Sequence, residues 1–375
     1  MGAGSGDRPS AVVVGAGVFG ASIAHALVGR AWSVEIVERN SPAHARASSH
    51  DSSRLLRLGH GDEDLPDNWY TRSALRSRRL WTEIGEEEGV DLFVPSGALW
   101  LARTVAGYEE RSRRDLGALG IPVERLAAAD AVAFFPGVRH DDLAFVLHEP
   151  MAGVLRATAC VHTLIRRALR GGATLRTGTA RPDGGGVLVD SERLGCDRVI
   201  WACGPWLPRL FPGILDLRSV KQAVFYFGAG ARWRTPPVPA WIDDGGYGYG
   251  LGDLDGSGFK AVYAPPGRGL DLDPDAGDGL PDAGDLHLAR ALLAHRFPSL
   301  AAAPVVTATL CRYELTPDLH FVVAPTDETG RAWIVGGGSG HGFKHSPALG
   351  EYVADLLEDR ERPRPAFGLG RRRQR

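Results

Sequence analysis

The chain has 375 residues, a formal net charge of −2 and an isoelectric point near 6.6. It therefore lacks the strong positive field that attracts nucleic acids and anionic membranes. Its length favours two domains over one. The four cysteines form neither close pairs nor a disulfide framework, and no apolar run reaches the roughly 18 residues of a membrane span. We therefore expect a cytoplasmic protein, a monomer or a small homo-oligomer, with no nucleic-acid or membrane partner.

A strand, a glycine turn, a helix and a second strand follow one another at the start of the chain. The predicted elements are a strand at 11–14, a helix at 18–30 and a strand at 32–37. In the turn, Gly15 permits a sharp bend, Gly17 lets backbone N–H groups approach a pyrophosphate, and Gly20 lets the helix pack closely on the strand. Glu38 ends the second strand, where its carboxylate is suited to ribose hydroxyls.

This order indicates a dinucleotide site at the positive end of a helix. A glycine turn in an α/β protein without a nucleotide would contain the same glycines. The motif does not distinguish NAD from FAD, which is decided by the rest of the chain.

Three later motifs identify the cofactor by resemblance. They are SSHDSSRLLR at 48–57, followed by a predicted helix at 69–88, CRYELTPDLHF at 311–321, and GGGSGHGFK at 336–344. Together they resemble the sarcosine oxidase and N-methyltryptophan oxidase branch of the D-amino-acid-oxidase-like flavoproteins. The resemblance spans nearly the whole chain and is weakest from 99 to 149. It implies FAD as the cofactor.

The resemblance also implies an α/β (α+β) fold, with a Rossmann-like FAD-binding domain of discontinuous segments and an inserted β-rich substrate domain. The FAD-binding domain is expected at 10–90, 150–215 and 312–362, the substrate domain at 91–149 and 216–311, and flexible tails at 1–9 and 363–375. The residue patterns fit this plan. They favour a helix at 157–170 and strands at 198–203, 223–227 and 258–263.

Cys311 matches the cysteine that, in this family, joins the flavin 8α-methyl carbon through a thioether, so the resemblance implies covalent FAD. Such a bond needs a thiolate, and therefore cationic neighbours that lower the pKa of the thiol. Ser49, His50 and Arg54 belong to the loop that lies near the flavin in the family. Without the motif, Cys311 would be interpreted as a small buried apolar residue.

Lysine is scarce in this arginine-rich chain, which contains only Lys221, Lys260 and Lys344. A scarce lysine suggests a site that needs a compact ammonium. In the family, the residues matching Lys344 and Arg57 hold the substrate carboxylate, and the lysine matching Lys260 lies over the flavin and promotes its reaction with oxygen. The alternatives are a surface ion pair for Arg57 and a solvated strand lysine for Lys260. No role is assigned to Lys221.

Two tyrosines and one alanine bear on the substrate. Tyr249 and Tyr313 match aromatic positions that line the family's substrate cavity, although either would also suit a protein core. Ala264 departs from the family, because sarcosine oxidases have a substrate-contacting histidine at this position. A small apolar residue there favours a substrate bulkier than sarcosine.

The closing glycine loop contains Gly340, His341 and Gly342. The resemblance places it beside the flavin, where its successive N–H groups are suited to hold a flavin carbonyl as negative charge builds on the reduced ring. His341 itself is interpreted either as part of that site or as a loop spacer. The scattered histidines show no zinc-ligand spacing, so no metal is predicted.

These motifs together predict an FAD-dependent amine oxidase. A hydride passes from the α-carbon of a secondary (N-alkyl) or cyclic amino acid to the flavin, an imine forms, and O2 is reduced to H2O2. No general base is evident, and a neutral amine does not require one. Two alternatives stay open. The first is a flavin-dependent dehydrogenase or desaturase of a cyclic imino acid in a biosynthetic pathway. The second is a non-catalytic FAD-binding electron-transfer subunit.

Overall fold

The computed structural model describes residues 8–265, 273–277 and 279–371, without the side chain of Asp62. The helices in these residues are α1 (Val18–Gly29), α2 (Trp69–Glu88), α3 (Tyr108–Ala118), α4 (Ala157–Arg170), α5 (Leu207–Leu210), α6 (Ala283–Arg296) and α7 (Ser346–Leu357). The strands are β1 (Ser10–Val14), β2 (Ser33–Glu38), β3 (Arg54–Leu56), β4 (Phe93–Val94), β5 (Ala98–Ala102), β6 (Glu124–Leu126), β7 (Phe145–Glu149), β8 (Gly153–Leu155), β9 (Thr174–Thr177), β10 (Ala180–Asp183), β11 (Gly186–Val189), β12 (Glu192–Leu194), β13 (Arg198–Trp201), β14 (Arg218–Phe227), β15 (Ala240–Asp243), β16 (Gly248–Leu251), β17 (Phe259–Tyr263), β18 (Val305–Leu315), β19 (Val322–Pro325) and β20 (Ala332–Gly336).

A six-stranded sheet has the order β19-β20-β13-β1-β2-β9 and is parallel except for the pair β19–β20. Alternate residues of β1 face opposite sides. Ala11 and Val13 pack into a core that includes residues of α1, α2, α4 and α7, whereas Val12 and Val14 pack with residues of β11 and β12. Because both faces of the sheet are covered, β1 is a continuous apolar run rather than an alternating one.

An eight-stranded sheet has the order β18-β14-β17-β16-β15-β5-β7-β6 and is antiparallel except for the pair β15–β5. Its apolar core contains aromatic residues such as Trp241 and Phe259 and is covered by Leu292 and Leu293 of α6. The remaining strands form two three-stranded sheets, β10-β11-β12 and β3-β8-β4. The predicted mixed α/β class is therefore confirmed. No helix among the described residues has both the length and the apolar content needed to cross a membrane.

The predicted elements agree with the structure most closely where they are helical. The helices predicted at 69–88 and 157–170 coincide with α2 and α4. The strand predicted at 198–203 ends at Trp201, and the strand predicted at 223–227 begins already at Arg218. Strand β18 runs through the boundary predicted between 311 and 312, because it pairs along its length with β14.

The C-terminal segment differs from the expectation of a flexible tail from residue 363. Phe367 is fully buried in the core around α1 and α7. Arg371 donates hydrogen bonds to the Phe321 carbonyl at 2.8 Å and to Asp318 at 2.9 Å. Residues 363–371 are therefore held by a buried aromatic ring and a multiply bonded guanidinium. The other predicted tail residues, 1–7 and 372–375, lie outside the described residues.

Two glycines of α1 provide a test of the close packing that the turn requires. A Cβ at Gly20 would lie 1.8 Å from the Gly15 carbonyl oxygen, whereas a Cβ at Gly29 would meet nothing within 4 Å. We expect Gly20→Ala to lower the free energy of unfolding by about 1–3 kcal/mol, because it overpacks fixed backbone. Gly29→Ala should be neutral or stabilising by up to about 1 kcal/mol. Denaturant titration of both apoproteins measures this, and equal effects would contradict the packing role.

Candidate active site

A large cavity lies between the six-stranded and the eight-stranded sheets. Its volume is ≈ 650 Å³, which is within the range of ligand and cofactor sites. Of the site residues predicted from the sequence, all but Gly20 and His50 line it. Those that line it are Gly15, Gly17, Glu38, Ser49, Arg54, Arg57, Tyr249, Lys260, Cys311, Tyr313, Gly340, His341, Gly342 and Lys344.

The glycine turn forms one end of this cavity. Gly15 has a φ of +102°, and its N–H donates a 2.8 Å hydrogen bond to the Val37 carbonyl. A Cβ at Gly15 would lie 2.5 Å from the Ala202 carbonyl oxygen. Gly17 lies at the wall, and a Cβ there would meet only Ser49 Oγ, at 3.3 Å. The turn therefore needs glycine for its conformation at one position and leaves backbone open to the cavity at the other.

Glu38 and Ser49 fix the backbone beside the turn. Glu38 Oε2 accepts a 2.8 Å hydrogen bond from the Ala16 N–H, and Oε1 accepts one of 2.9 Å from Asn40. Ser49 Oγ accepts a 2.8 Å hydrogen bond from the N–H of Val18, the first residue of α1. A helix start that opens on a cavity, with a carboxylate at the end of β2, fits the pyrophosphate and ribose of a dinucleotide.

Arg54 anchors the loop that follows Ser49. Its guanidinium donates to the carbonyls of Ser48 and His50, both at 2.7 Å, and to that of Ser53 at 2.9 Å. The His50 ring donates a 3.0 Å hydrogen bond from Nδ1 to the Ala43 carbonyl and does not line the cavity. His50 therefore supports the loop, and its placement gives no direct contact with the predicted flavin site.

Asp51 and Lys260 form a buried ion pair in the cavity wall, with Lys260 Nζ 2.6 Å from Asp51 Oδ2. Arg54 reaches the same oxygen at 2.8 Å, and the Tyr226 hydroxyl donates a short hydrogen bond to Oδ1. Lys260 also donates to the Ser53 carbonyl at 3.0 Å. The pair links the loop before β3 to strand β17.

The carboxylate of this cluster and its two cationic neighbours stabilise one another. Burial opposes ionisation of Asp51, but Lys260 and Arg54 outweigh it and hold the pKa of Asp51 well below its usual range. Burial likewise opposes the charged form of Lys260, yet Asp51 raises the pKa of Lys260 above its ordinary value. All three groups are therefore charged at neutral pH, and Lys260 is not the solvated strand lysine considered as its alternative.

Cys311 lies beside Arg54, whose guanidinium is 3.7 Å from Sγ. Burial raises the pKa of the Cys311 thiol, and Arg54 opposes this rise without cancelling it. The expected cationic neighbour is therefore present, but in the protein alone it does not lower the pKa of the thiol. The expectation of a lowered thiol pKa took account of the cationic neighbour but not of burial, which raises the pKa of the thiol.

Arg57 also lines the cavity, and its guanidinium is stacked 5.2 Å from the ring centre of Trp100. Its guanidinium donates to the Tyr108 hydroxyl at 2.9 Å and to Glu63 at 3.3 Å, with a further short hydrogen bond to the Gly59 carbonyl. Burial disfavours its charge, but Tyr108 and Glu63 more than compensate and raise the pKa of Arg57. Arg57 is thus a paired cation inside the protein rather than a surface one.

Lys344 has a different environment. It is 3 % exposed and lines the cavity, and among the described residues no acceptor or carboxylate pairs with its ammonium. Burial, followed by repulsion from Arg57, lowers the pKa of Lys344 well below its ordinary value. A buried amine of this kind is strongly favoured to bind an anion, which would restore its charge.

The glycine loop is bonded to itself more than the sequence suggested. The N–H groups of His341 and Gly342 both donate to the Gly338 carbonyl, at 2.9 and 2.8 Å. The N–H of Gly338 donates to Glu314 at 3.2 Å. The loop lines the cavity as predicted, and the N–H groups of His341 and Gly342 already have a partner. The contact of the loop with a flavin carbonyl stays a prediction.

Three histidines meet beside this loop. Ring nitrogens of His60, His341 and His345 lie within 4.8 Å of one another. Burial lowers the pKa of His341 to about 3 and those of the other two well below the ordinary value, with Lys344 as the next cause in each case. The three rings pack with Tyr70 as neutral aromatic groups. Nothing in the spacing of the three histidines indicated this grouping, and the absence of a metal stays a prediction.

Tyr249, Tyr313 and Ala264 also line the cavity. Burial raises the pKa of both phenols, so their hydroxyls stay protonated at neutral pH. Ala264 is fixed by a 2.7 Å hydrogen bond from its N–H to the Tyr247 carbonyl. Its methyl group leaves space where a histidine would fill it, as the sequence indicated.

Two acidic residues that shape the site, Asp51 and Glu149, were not predicted from the sequence. Glu149 is 1 % exposed and holds the Arg57 segment, because its carboxylate accepts hydrogen bonds from the Leu58 N–H at 2.7 Å and the Trp100 indole at 2.6 Å. Asp51 lies within the SSHDSSRLLR motif, but the motif did not indicate a function for it. The position of Asp51 between two predicted cofactor residues, His50 and Arg54, could have indicated a role in the site. No motif or spacing indicated a role for Glu149.

Comparison with known proteins agrees with this geometry. Residues 10–356 match the family described as FAD dependent oxidoreductase. Monomeric sarcosine oxidase from Streptomyces avermitilis is 29% identical over 92% of this chain and 92% of its own length. N-methyl-L-tryptophan oxidase from Salmonella arizonae is 24% identical over 96% of each chain. The solved structure of L-proline dehydrogenase from P. horikoshii superimposes with a TM-score of 0.82 at 20% identity, over 96% of each chain, and shows a shared fold.

The family match covers nearly the whole chain, including every strand of both large sheets and all the residues predicted to form the site. The recognised branch is the one to which these two relatives belong by name. The chain therefore belongs to the FAD-dependent oxidoreductases of the D-amino-acid-oxidase type, and it is an enzyme related to those that oxidise C–N bonds.

Proposed function

We propose that this enzyme oxidises the C–N bond of a secondary (N-alkyl) or cyclic amino acid to an imine and that O2 then reoxidises the flavin, giving H2O2. The proposal rests above all on Lys344, a buried amine without a partner among the described residues, which lies in the same cavity as Arg57. A substrate carboxylate supplies the missing anion. The named substrates of the relatives, sarcosine, N-methyltryptophan and proline, are all secondary amino acids.

The residues present fit FAD. Gly15, Gly17 and Glu38 would hold its dinucleotide portion, and Cys311 lines the same cavity, where we propose a thioether to the flavin. When bound, FAD supplies the hydride acceptor. The predicted two-domain division, with FAD-binding segments interrupted by a substrate domain, is part of this proposal and is supported by the two large sheets.

The side chains position the substrate. Arg57 and Lys344 bind its carboxylate, Tyr249 and Tyr313 border its side chain, and the space beside Ala264 favours a group bulkier than the methyl of sarcosine. The neutral amine loses a hydride from its α-carbon, and the resulting iminium then releases a proton to give the imine. Because Arg57 and the recharged Lys344 lie beside the bound substrate, they favour its deprotonated amine over the ammonium form.

A second function is favoured by one observation. Lys260, the residue proposed to promote the reaction with oxygen, is paired with Asp51 at 2.6 Å. A paired ammonium gives less stabilisation to developing superoxide than a free one, which stabilises a charge 4 Å away by about 4 kcal/mol at an effective dielectric near 20. This favours a dehydrogenase that passes its electrons to an acceptor other than O2.

An anaerobic screen of N-methyl and cyclic amino acids tests the proposed function and separates its two forms. We expect at least one of these amines to bleach the flavin absorbance, and the primary amino acid of the same side chain to do so much more slowly. Admission of air then distinguishes an oxidase from a dehydrogenase through the rate of colour return and the peroxide formed. Absence of bleaching by every secondary amine would contradict the proposed substrate class.

The low pKa of unpaired Lys344 predicts a pH-dependent affinity for carboxylates. Binding of a carboxylate without an amine, such as benzoate, should raise the pKa of Lys344 and take up a proton. Above the lowered pKa of the free enzyme, affinity should therefore fall by about tenfold per pH unit as pH rises. Calorimetry in buffers of different ionisation enthalpy measures this uptake.

Lys344→Met should weaken benzoate binding by about 10- to 100-fold at the pH of tightest binding and remove the proton uptake. Lys221→Met is the matched control, because Lys221 faces Asp282 and Asp285 at 3.9 and 3.7 Å and does not line the cavity. Unchanged affinity in Lys344→Met would refute its role in carboxylate binding.

Covalent attachment has its own test. In denatured parent enzyme, we expect the yellow colour to stay with the chain, and in Cys311→Ser to separate from it. Cys196→Ser, which alters a cysteine outside the cavity wall, should keep the colour bound. Free FAD released from the denatured parent would exclude the thioether.

A further inference from the structure

Asp51 places a negative charge at a position where the proposed chemistry uses a positive one. Its carboxylate lines the cavity, 2.6 Å from Lys260 and 2.8 Å from Arg54. Without Asp51 this part of the wall would carry two cationic charges, and with it the sum falls to one. The acid is therefore part of the electrostatics of the flavin site and not a distant surface group.

The backbone shows that the carboxylate is held in place from several sides. Asp51 has a φ of +151°, a conformation that favours glycine over an L-residue. The Asp51 carbonyl accepts a 2.8 Å hydrogen bond from the Thr158 hydroxyl, and Oδ1 accepts one of 2.7 Å from the Ser52 N–H. Together with Tyr226 and Lys260, these bonds compensate for the unfavourable backbone. The position is built around this side chain.

Asp51 is poorly suited to act as a base. Burial opposes its ionisation, but Lys260 and Arg54 dominate and keep the pKa of Asp51 well below its usual range. A carboxylate stabilised in this way has little tendency to accept a proton from a substrate amine. Its effect is therefore exerted as a fixed charge on its neighbours.

The charge of Lys260 matters in the second half of the proposed reaction. The reduced flavin anion, O2 and one proton become oxidised flavin and H2O2, so two electrons pass from the flavin to oxygen. The first electron creates superoxide, which a nearby ammonium stabilises. A carboxylate in contact with that ammonium repels superoxide and cancels much of the benefit.

We propose that Asp51 determines the electron-acceptor specificity of this enzyme. Its negative charge offsets the positive charge of Lys260 and so restrains the reaction of the reduced flavin with O2. The inference rests on the proposed role of Lys260 and adds a residue that limits it. The acceptor favoured by this arrangement is one that takes electrons without developing negative charge beside Lys260. Tyr226 supports the carboxylate and Arg54 faces it, so both belong to the same electrostatic unit.

The test uses holoenzyme whose flavin is reduced by light, so that no amine substrate is needed, and follows reoxidation after mixing with oxygenated buffer. We expect Asp51→Asn to reoxidise at least about tenfold faster than the parent. Asp51→Gly, which also relieves the backbone strain, should show the same acceleration and serves if the asparagine variant does not fold. Asp142→Asn is the control, since Asp142 pairs with Arg296 at 2.8 Å outside the cavity wall and should leave the rate unchanged.

A double-mutant cycle shows whether Asp51 acts through Lys260. If it does, Lys260→Met should slow reoxidation more in the Asp51→Asn background than in the parent, and Asp51→Asn should give little acceleration when Lys260 is absent. Equal acceleration with and without Lys260 would overturn the inference. A Lys260→Met variant as fast as its parent in both backgrounds would instead refute the oxygen role of Lys260 itself.

A measurement on the oxidised holoenzyme without substrate is independent of turnover. The chain contains three lysines, so labelling with ¹³C-lysine gives few signals, and Lys260→Met assigns the one of interest. We expect Asp51→Asn to lower the pKa of Lys260 while leaving it protonated at neutral pH, where the reoxidation rates are compared, because the Ser53 carbonyl at 3.0 Å still accepts a hydrogen bond from its ammonium, an acceptor that Lys344 lacks among the described residues. A Lys260 that is neutral at that pH in Asp51→Asn would overturn the inference, because the carboxylate would then be required for the charge that promotes oxygen reduction.

Discussion

Burial of like charges is the constraint on which the arrangement of this cavity depends. The cavity wall contains four basic side chains, those of Arg54, Arg57, Lys260 and Lys344. A buried basic group either is paired with an acceptor and keeps its charge, or loses its proton and becomes neutral. Two carboxylates and a set of carbonyls keep the first three charged. Lys344 follows the other course, since its pKa is lowered.

Buried carboxylates also connect parts of the chain that are distant in sequence. Lys260 belongs to strand β17 of the eight-stranded sheet, whereas Asp51 lies in the loop that leads from β2 to β3. Glu149 ends β7 and binds the backbone of the Arg57 segment. Because a broken pair leaves an uncompensated buried charge, the ion pairs fix the relative position of the segments on which catalysis is proposed to depend.

The sequence was most informative where structure is local. The helix at 69–88 and the glycine turn are specified by residues close together in the chain, and the family motifs marked most of the cavity wall. The sequence was least informative where a property depends on a distant partner. Asp51 and Lys260 are 209 positions apart, and Glu149 is 91 positions from Leu58. No spacing or periodicity reports such a contact, and the same limitation hid the effect of burial on Cys311.

Lys260 and Lys344 show how one residue type acquires opposite properties in a single cavity. Both are nearly excluded from solvent, so desolvation opposes the charge of each. The first has a carboxylate at 2.6 Å, stays charged and gives up much of its attraction for another anion. The second has no such partner among the described residues and keeps its attraction for an anion that arrives from solution. In the proposed reaction, this distribution of carboxylates directs the substrate carboxylate toward Lys344 and Arg57 and away from Lys260, and so gives the substrate one orientation in the cavity.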